Sequence, residues 1–203
     1  MPVALTLCDR SAEMVQAWRR YFSDDSGAKI VNQNMLTLDV DALAVPANAF
    51  GFTDGGVDIA VSKEIFDWHL QDTLRAQIDR EHGGELLVGQ ALVMPTSSAR
   101  LRYVVVAPTM RVPADVSDSV NAYLAMRAIL RTVEAHNRAM KGNPPNQIRS
   151  LALPGLCTGT GKMRPERAAY QMWTAYRSIV MGDLDWAKTL EKQVDHDRKM
   201  RSR

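Results

Sequence analysis

The sequence predicts a three-layer α/β/α sandwich around a mixed, mostly parallel sheet of about six strands. Three observations carry that expectation. Short apolar runs alternate with stretches whose apolar residues recur at helical spacing. Two glycine-rich loops each follow an apolar run directly. One pair of runs is joined by too short a polar turn for a crossover, so that part of the sheet reads as antiparallel.

Taken in order, Ala4 to Cys8 is a strand, and Asp9 or Ser11 can cap the helix marked by Met14, Val15, Trp18, Tyr21 and Phe22. Ser26-Gly27 ends that helix, and Ala28 to Val31 is the next strand. Asp41 to Val45 is a buried-type strand that runs into the first glycine loop at Pro46. A single helix is expected from Val57 to about Arg80, with Val61, Ile65, Trp68 and Leu74 on one face and His82-Gly83-Gly84 closing it. Gln90 to Pro95 and Tyr103 to Ala107 are strands on either side of the turn Thr96 to Arg100. A long helix from about Ser117 to Met140 is followed by a loop to Asn146 and a core strand from Ile148 to Leu153. Glu166 to about Met181 is the last strongly periodic helix. Residues 1–182 thus form one α/β domain. Residues 183–203 are charge-rich and read as a peripheral helix fraying into a basic tail, with Leu184, Trp186, Leu190 and Val194 as its anchors.

At 203 residues with net charge +2, the chain is too weakly basic to indicate nucleic acid or an anionic membrane surface as partner. No apolar run approaches the roughly 20 residues of a membrane span, and no secretory signal pattern opens the chain. Cys8 and Cys157 sit in no metal or redox spacing. A cytoplasmic, disulfide-free protein is expected. His69, His82, His136 and His196 have no suggestive context and read as surface residues, which leaves Cys157 without a partner for nucleophilic chemistry.

The two glycine loops carry the chemistry. The first runs from Pro46 through Asn48, Phe50, Gly51 and Phe52 to Gly55-Gly56-Val57-Asp58; the second from Pro154 through Gly155, Leu156, Cys157, Thr158, Gly159 and Thr160 to Gly161. In an open α/β sheet, ligands bind beyond the carboxyl ends of the strands. There, glycine lets backbone approach closely, and first-turn amides such as those of Val57, Asp58 and Ile59 meet anions. The second loop has the makings of an anion-binding nest. It is neither a P-loop, because its glycine spacing is too long and Met163 replaces the Ser or Thr that would hold magnesium, nor a dinucleotide fingerprint, because Arg164 stands where a third glycine belongs.

The segments Asp41 to Asn48, Gly55-Gly56-Val57-Asp58 and Pro154 to Gly159, in that order and spacing, resemble the macrodomain family of ADP-ribose-binding proteins. Within it the chain resembles a bacterial and phage branch with a Pro-Ala-Asn-x-Phe-Gly-Phe loop, here Pro46 to Phe52. Val88 to Ala91 and Ala107 to Pro113 share the resemblance, which covers about residues 1–181. It implies binding of ADP-ribose or an NAD-derived ADP-ribosyl metabolite, and hydrolysis of the linkage at the distal ribose without metal or cofactor. Asn34 and Met35 would meet adenine, with the Asn34 carbonyl accepting from its amine. Ala47, Gly55, Gly56 and Val57 would line the first wall, and Gly155, Cys157, Thr158, Gly159, Thr160 and Gly161 would wrap the diphosphate. Asn48 and Asp58 would orient the attacking water. The implied partners are ADP-ribose itself or an ADP-ribosylated substrate, with nucleic acid entering only as such a substrate. Hydrolytic members have an aromatic where Gly161 stands and a serine where Cys157 stands. That departure leaves a non-catalytic reader or sequestering protein, or a structural protein keeping the fold alone, as rival readings.

Overall fold

The near-continuous burial of the central strands on both faces dictates the layers. In the computed structural model, which describes residues 3–23, 26–52, 56–65, 69–98 and 100–202 and the backbone alone over 56–59, strand β3 (Ala42–Asn48) sends Ala42 and Ala44 into one core and Leu43, Val45 and Ala47 into another. Strand β5 (Tyr103–Met110) divides likewise, with Val105 and Ala107 on the first side and Val104 and Val106 on the second. A strand whose both faces are dry needs a helical layer on each side.

The remaining elements supply those layers. The chain runs through β1 (Ala4–Asp9), α1 (Ala12–Tyr21), β2 (Lys29–Asn32), a 3-10 turn (Met35–Thr37), β3, α2 (Gly56–Ile65), α3 (Leu70–His82), β4 (Leu92–Pro95), β5, α4 (Asn121–Ala139), β6 (Ser150–Leu153), α5 (Pro165–Ile179) and α6 (Leu190–Ser202). Met14 and Trp18 of α1, Met126 and Ile129 of α4 and Met172 of α5 fill the first core; Val61 and Ile65 of α2 with Leu70, Leu74 and Ile78 of α3 fill the second. The sheet order is β2-β1-β6-β3-β5-β4. Every pairing is parallel except β4 with β5, the antiparallel portion expected from the short turn. The carboxyl ends of β1, β2, β3, β5 and β6 therefore share one edge, and both glycine loops emerge there.

Several boundaries differ from expectation, four of them with a clear cause or consequence. β3 continues through Pro46 and Ala47 to Asn48, with Pro46 opposite Ala107, so the first loop begins three residues later than the proline suggested. The single helix expected over 57–80 is two, α2 and α3; Trp68 lies outside the described residues. Helix α4 starts at Asn121 because local side-chain bonds compete before it: Ser119 Oγ donates to Val116 O at 2.6 Å and accepts from Asn121 N at 3.2 Å. β6 starts at Ser150 because the Asn137 amide takes both Ile148 N and Ile148 O at 2.7 Å.

After α5 the chain passes a 3-10 turn (Asp185–Ala187) into α6, and of the four expected anchors only Trp186 packs on the domain. Leu184, Leu190 and Val194 are exposed. Trp186 instead stacks on His196 with ring centroids 4.4 Å apart, and His196 also packs edge-on against Tyr123 of α4. Met200 is buried in the first core, and its carbonyl accepts from Gln171 Nε2 at 3.1 Å. His196 is thus no surface residue; burial pushes its pKa down. No helix among the described residues is long and apolar enough to cross a membrane.

Candidate functional site

The second glycine loop leaves β6 with its donors unspent. Among the described residues, none of the amides from Leu156 to Gly161 donates to a protein acceptor, although Leu156, Cys157 and Gly161 are buried. Buried backbone N–H groups are almost always paired, so such a run calls for an acceptor from outside the chain. The loop is held from its flanks instead. Gly155 N donates to Asp9 Oδ2 at 3.0 Å, Met163 N to Cys157 O at 2.9 Å, and Val116 N, from the loop after β5, to Gly161 O at 3.0 Å. Cys157 carries this turn in left-handed conformation, with φ of 66°.

The loop's glycines have separate reasons. A Cβ on Gly155 would lie 2.9 Å from Met14 Sδ, and one on Gly161 would lie 2.6 Å from Cys157 O and 2.8 Å from Val116 Cγ2; these two allow close packing. A Cβ on Gly159 would meet nothing within 4 Å. That glycine, with exposed Thr160 and half-buried Thr158, faces open space. The Cys157 thiol is pushed up to about 12 by burial, which keeps it protonated and removes it as a nucleophile.

A cleft of about 310 Å³ opens beside this loop. Met35, Leu36, Ala60 of α2 and Pro154 give it apolar walls, and Asp9, Arg10 and Asn34 give it a polar rim. It therefore joins the ends of β1 and β6, the 3-10 turn after β2 and the start of α2. Asn34 caps the 3-10 turn: its Oδ1 accepts from Leu36 N at 3.2 Å, and its carbonyl accepts from Thr37 Oγ1 at 2.8 Å. The oxygen expected to serve an adenine amine already has a backbone partner. A larger cleft of about 720 Å³ lies at the other end of the sheet, between α4 and α5. Arg138 there pairs with Glu134 and Asn137 with Ile148, and this larger cleft lies away from both glycine loops, so the smaller one is the better candidate for the ligand.

Asn48 ends β3 opposite Met110 of β5. It is buried, and its side chain ties down the following turn: Oδ1 accepts from Phe50 N at 3.0 Å and Phe52 N at 3.2 Å, while Nδ2 donates to Phe52 O at 2.8 Å. An asparagine amide offers two lone pairs and two N–H groups, so one N–H remains. The two phenylalanines turn toward arginines: the Arg111 guanidinium lies 5.1 Å from the Phe50 ring centre and that of Arg75 lies 4.4 Å from the Phe52 ring centre. Gly56, Val57 and Asp58 form the first turn of α2, placing its free amides at the shared edge; Gly55 and the Asp58 side chain lie outside the described residues.

Sequence reasoning missed Asp9, which joins three elements. Its Oδ1 accepts from Ser11 N at 2.8 Å at the start of α1, its Oδ2 from Gly155 N, and its carbonyl from Asn32 Nδ2 at 2.8 Å at the end of β2. Its position at a strand-to-helix junction suggested only a local cap. Among the described residues, no three His, Cys, Asp or Glu side chains gather as a metal site.

A family profile described as Macro domain matches residues 44–172. An uncharacterized protein of Aquifex aeolicus (strain VF5) is 27% identical over 176 residues, covering 85% of this chain and 92% of that protein. The macrodomain of Mycobacterium tuberculosis DarG superposes with a TM-score of 0.58 at 18% identity, over 72% of this chain and 87% of that one. Thermosipho africanus DarTG in complex with ADP-ribose superposes with a TM-score of 0.56 at 18% identity, over 74% of this chain and 38% of that one. At these identities the structural likeness is one of fold.

Proposed function

Because the chain belongs to the Macro domain family, we propose that it binds ADP-ribose, with the diphosphate on the amides of 156–161 and the base in the cleft beside Asn34. The observation that carries this reading is the run of amides from Leu156 to Gly161 that have no protein acceptor among the described residues, three of them on the buried residues Leu156, Cys157 and Gly161. A diphosphate supplies acceptors of matching charge, and charge-assisted bonds of this kind are about twice as strong as neutral ones. The first turn of α2 adds the positive end of its dipole. The ADP-ribose in the Thermosipho structure is consistent with the same ligand here.

Hydrolysis at the distal ribose is the further part of the proposal. With both Asn48 lone pairs committed to Phe50 N and Phe52 N, Asn48 can donate to a hydroxyl or a water but cannot take its proton. The base is then the Asp58 carboxylate or a phosphate oxygen of the substrate, while the loop amides hold the reacting bond in place. The same observation favours a second reading, a reader that binds without turnover. Release of ADP-ribose from an ADP-ribosylated protein, followed for the wild type and Asp58→Ala, separates the two. Turnover that falls in the variant supports hydrolysis. Tight binding with no release in the wild type establishes the reader.

A further inference from the structure

We infer that Lys162 is a ligand-binding cation, held at the end of the second glycine loop to neutralise a diphosphate lying on the open amides. The inference rests on the reading that those amides receive an ADP-ribose-type ligand, and it adds a side chain to a site otherwise built from backbone. The loop has two residues in left-handed conformation, Cys157 with φ of 66° and Lys162 with φ of 52°. Its glycines are used elsewhere: none of Gly155, Gly159 and Gly161 is left-handed. Glycine would adopt that conformation freely, whereas a side chain strains it. Cys157 has a reason in packing, because it is buried in the first core with its thiol 3.9 Å from Thr109 O. Lys162 has no such reason. Its side chain is 72% exposed, and its ammonium lies 3.8 Å from a carboxylate oxygen of Asp115, itself 52% exposed. An ion pair that long and that exposed adds little stability.

Backbone strain that packing does not repay is characteristic of functional positions, and the placement of Lys162 gives the strain a use. Its amide donates to Gly159 O at 2.9 Å, so residue 162 closes a turn on the glycine that faces open space. It is the only cation in the sequence from Pro154 to Met163. The flexible stem of a lysine lets its ammonium swing from Asp115 into that space. There it meets the phosphate oxygens that the amides of 156–161 would also hold, and makes a charge-assisted bond to them. A glycine at this position would form the same turn with less strain but would leave the ligand's charge to the amides alone.

The experiment is calorimetric titration with ADP-ribose of the wild type, Lys162→Met, Lys162→Arg and Lys162→Gly, at low and high salt, with a thermal melt of each. Lys162→Met keeps the stem and removes the charge; it is expected to bind about 5- to 10-fold more weakly, with Lys162→Arg within about 2-fold of the wild type. The affinity of Lys162→Met should also fall less steeply with salt, because one screened charge has gone. Lys162→Gly should lose as much affinity as Lys162→Met while melting no lower than the wild type, since glycine relieves the strain. Weaker binding without weaker folding is an outcome that mere support of the loop does not give. Binding by Lys162→Met equal to that of the wild type overturns this inference and leaves the ADP-ribose reading standing. So does an unchanged salt dependence, or a loss confined to Lys162→Gly. Failure of the wild type to bind ADP-ribose overturns both readings together.

Discussion

The two edges of the sheet are built from the same strands and treat their polar groups in opposite ways. At the amino-terminal edge Asp41 gathers Arg102 Nη2 at 2.6 Å, Arg149 N at 2.6 Å and Ser150 N at 3.1 Å onto one carboxylate, while Asp41 N donates to Ser150 Oγ at 2.8 Å. Arg102 goes on to Gln147 O at 2.9 Å, and Gln147 Nε2 to the carbonyls of Asn137 and Met140. Donors there are spent on joining β3, β5 and β6. At the carboxyl edge the amides of 156–161 have no protein partner among the described residues, and the more exposed of the two glycines there, Gly159, has open space above it. An edge whose bonds are closed contributes stability; one that keeps buried donors open gives up some of that stability and is fit to bind. The difference assigns a distinct outcome to mutations at each edge.

The largest effect is expected from Gly159→Glu. Its side chain has room in the free protein, but it places a negative charge where the proposed site would take the diphosphate. Binding of ADP-ribose should weaken by at least about 100-fold with an unchanged circular dichroism melt. Normal binding by the folded variant would remove this loop from the site. Gly161→Ala, two residues away, should do the reverse. Its methyl would press on the Cys157 carbonyl and Val116, costing about 3 kcal/mol of stability by overpacking, seen as a lower denaturant midpoint. If Gly159→Ala and Gly161→Ala prove equally stable, the two glycines do not have the separate reasons given above.

Asp41→Asn tests the closed edge. It should cost about 2 kcal/mol, the scale of hydrogen bonds to a charged group, and leave ligand affinity unchanged. Burial alone would raise the Asp41 pKa, but the bonds from Arg102 and Arg149 outweigh it and hold the carboxyl below its ordinary range. A lowered folded pKa gives stability that is present at neutral pH and lost as the pH falls through that lowered value. The wild type should therefore lose stability over the acidic range by more than Asp41→Asn does; parallel acid-unfolding curves would contradict the assignment.

The smallest effect is expected at Asn48. Asn48→Ala removes one remaining N–H from the ligand, about 1 kcal/mol of affinity. It also orphans Phe50 N and Phe52 N, so the melting temperature should fall too. An affinity loss with no change in melting temperature would mean that the turn does not depend on the Asn48 side chain.

Much of this contrast was legible in the sequence, and what was not has physical causes. The strand runs and loop glycines stand out because burial on both faces demands unbroken apolar stretches and close approach demands glycine. Pro46 misled because proline usually stops a strand, whereas here β3 carries it opposite Ala107. The α6 anchors were hidden because His196 and Met200 carry no periodic apolar signal, and the burial of each depends on a distant partner, Trp186 and Tyr123 for one and the α5 side for the other. Asp9 and the orientation of Asn34 were invisible for a similar reason: which oxygen serves which amide is decided only when β1, β6 and the 3-10 turn come together.

Titration calorimetry of the wild type with ADP-ribose, run beside ATP, tests the central claim most directly. The open amides and the adjoining base cleft predict a dissociation constant of about 1–100 µM for ADP-ribose. ATP, with a third phosphate and no distal ribose, should bind far more weakly. No heat with ADP-ribose, or equal affinity for the two nucleotides, would contradict the account.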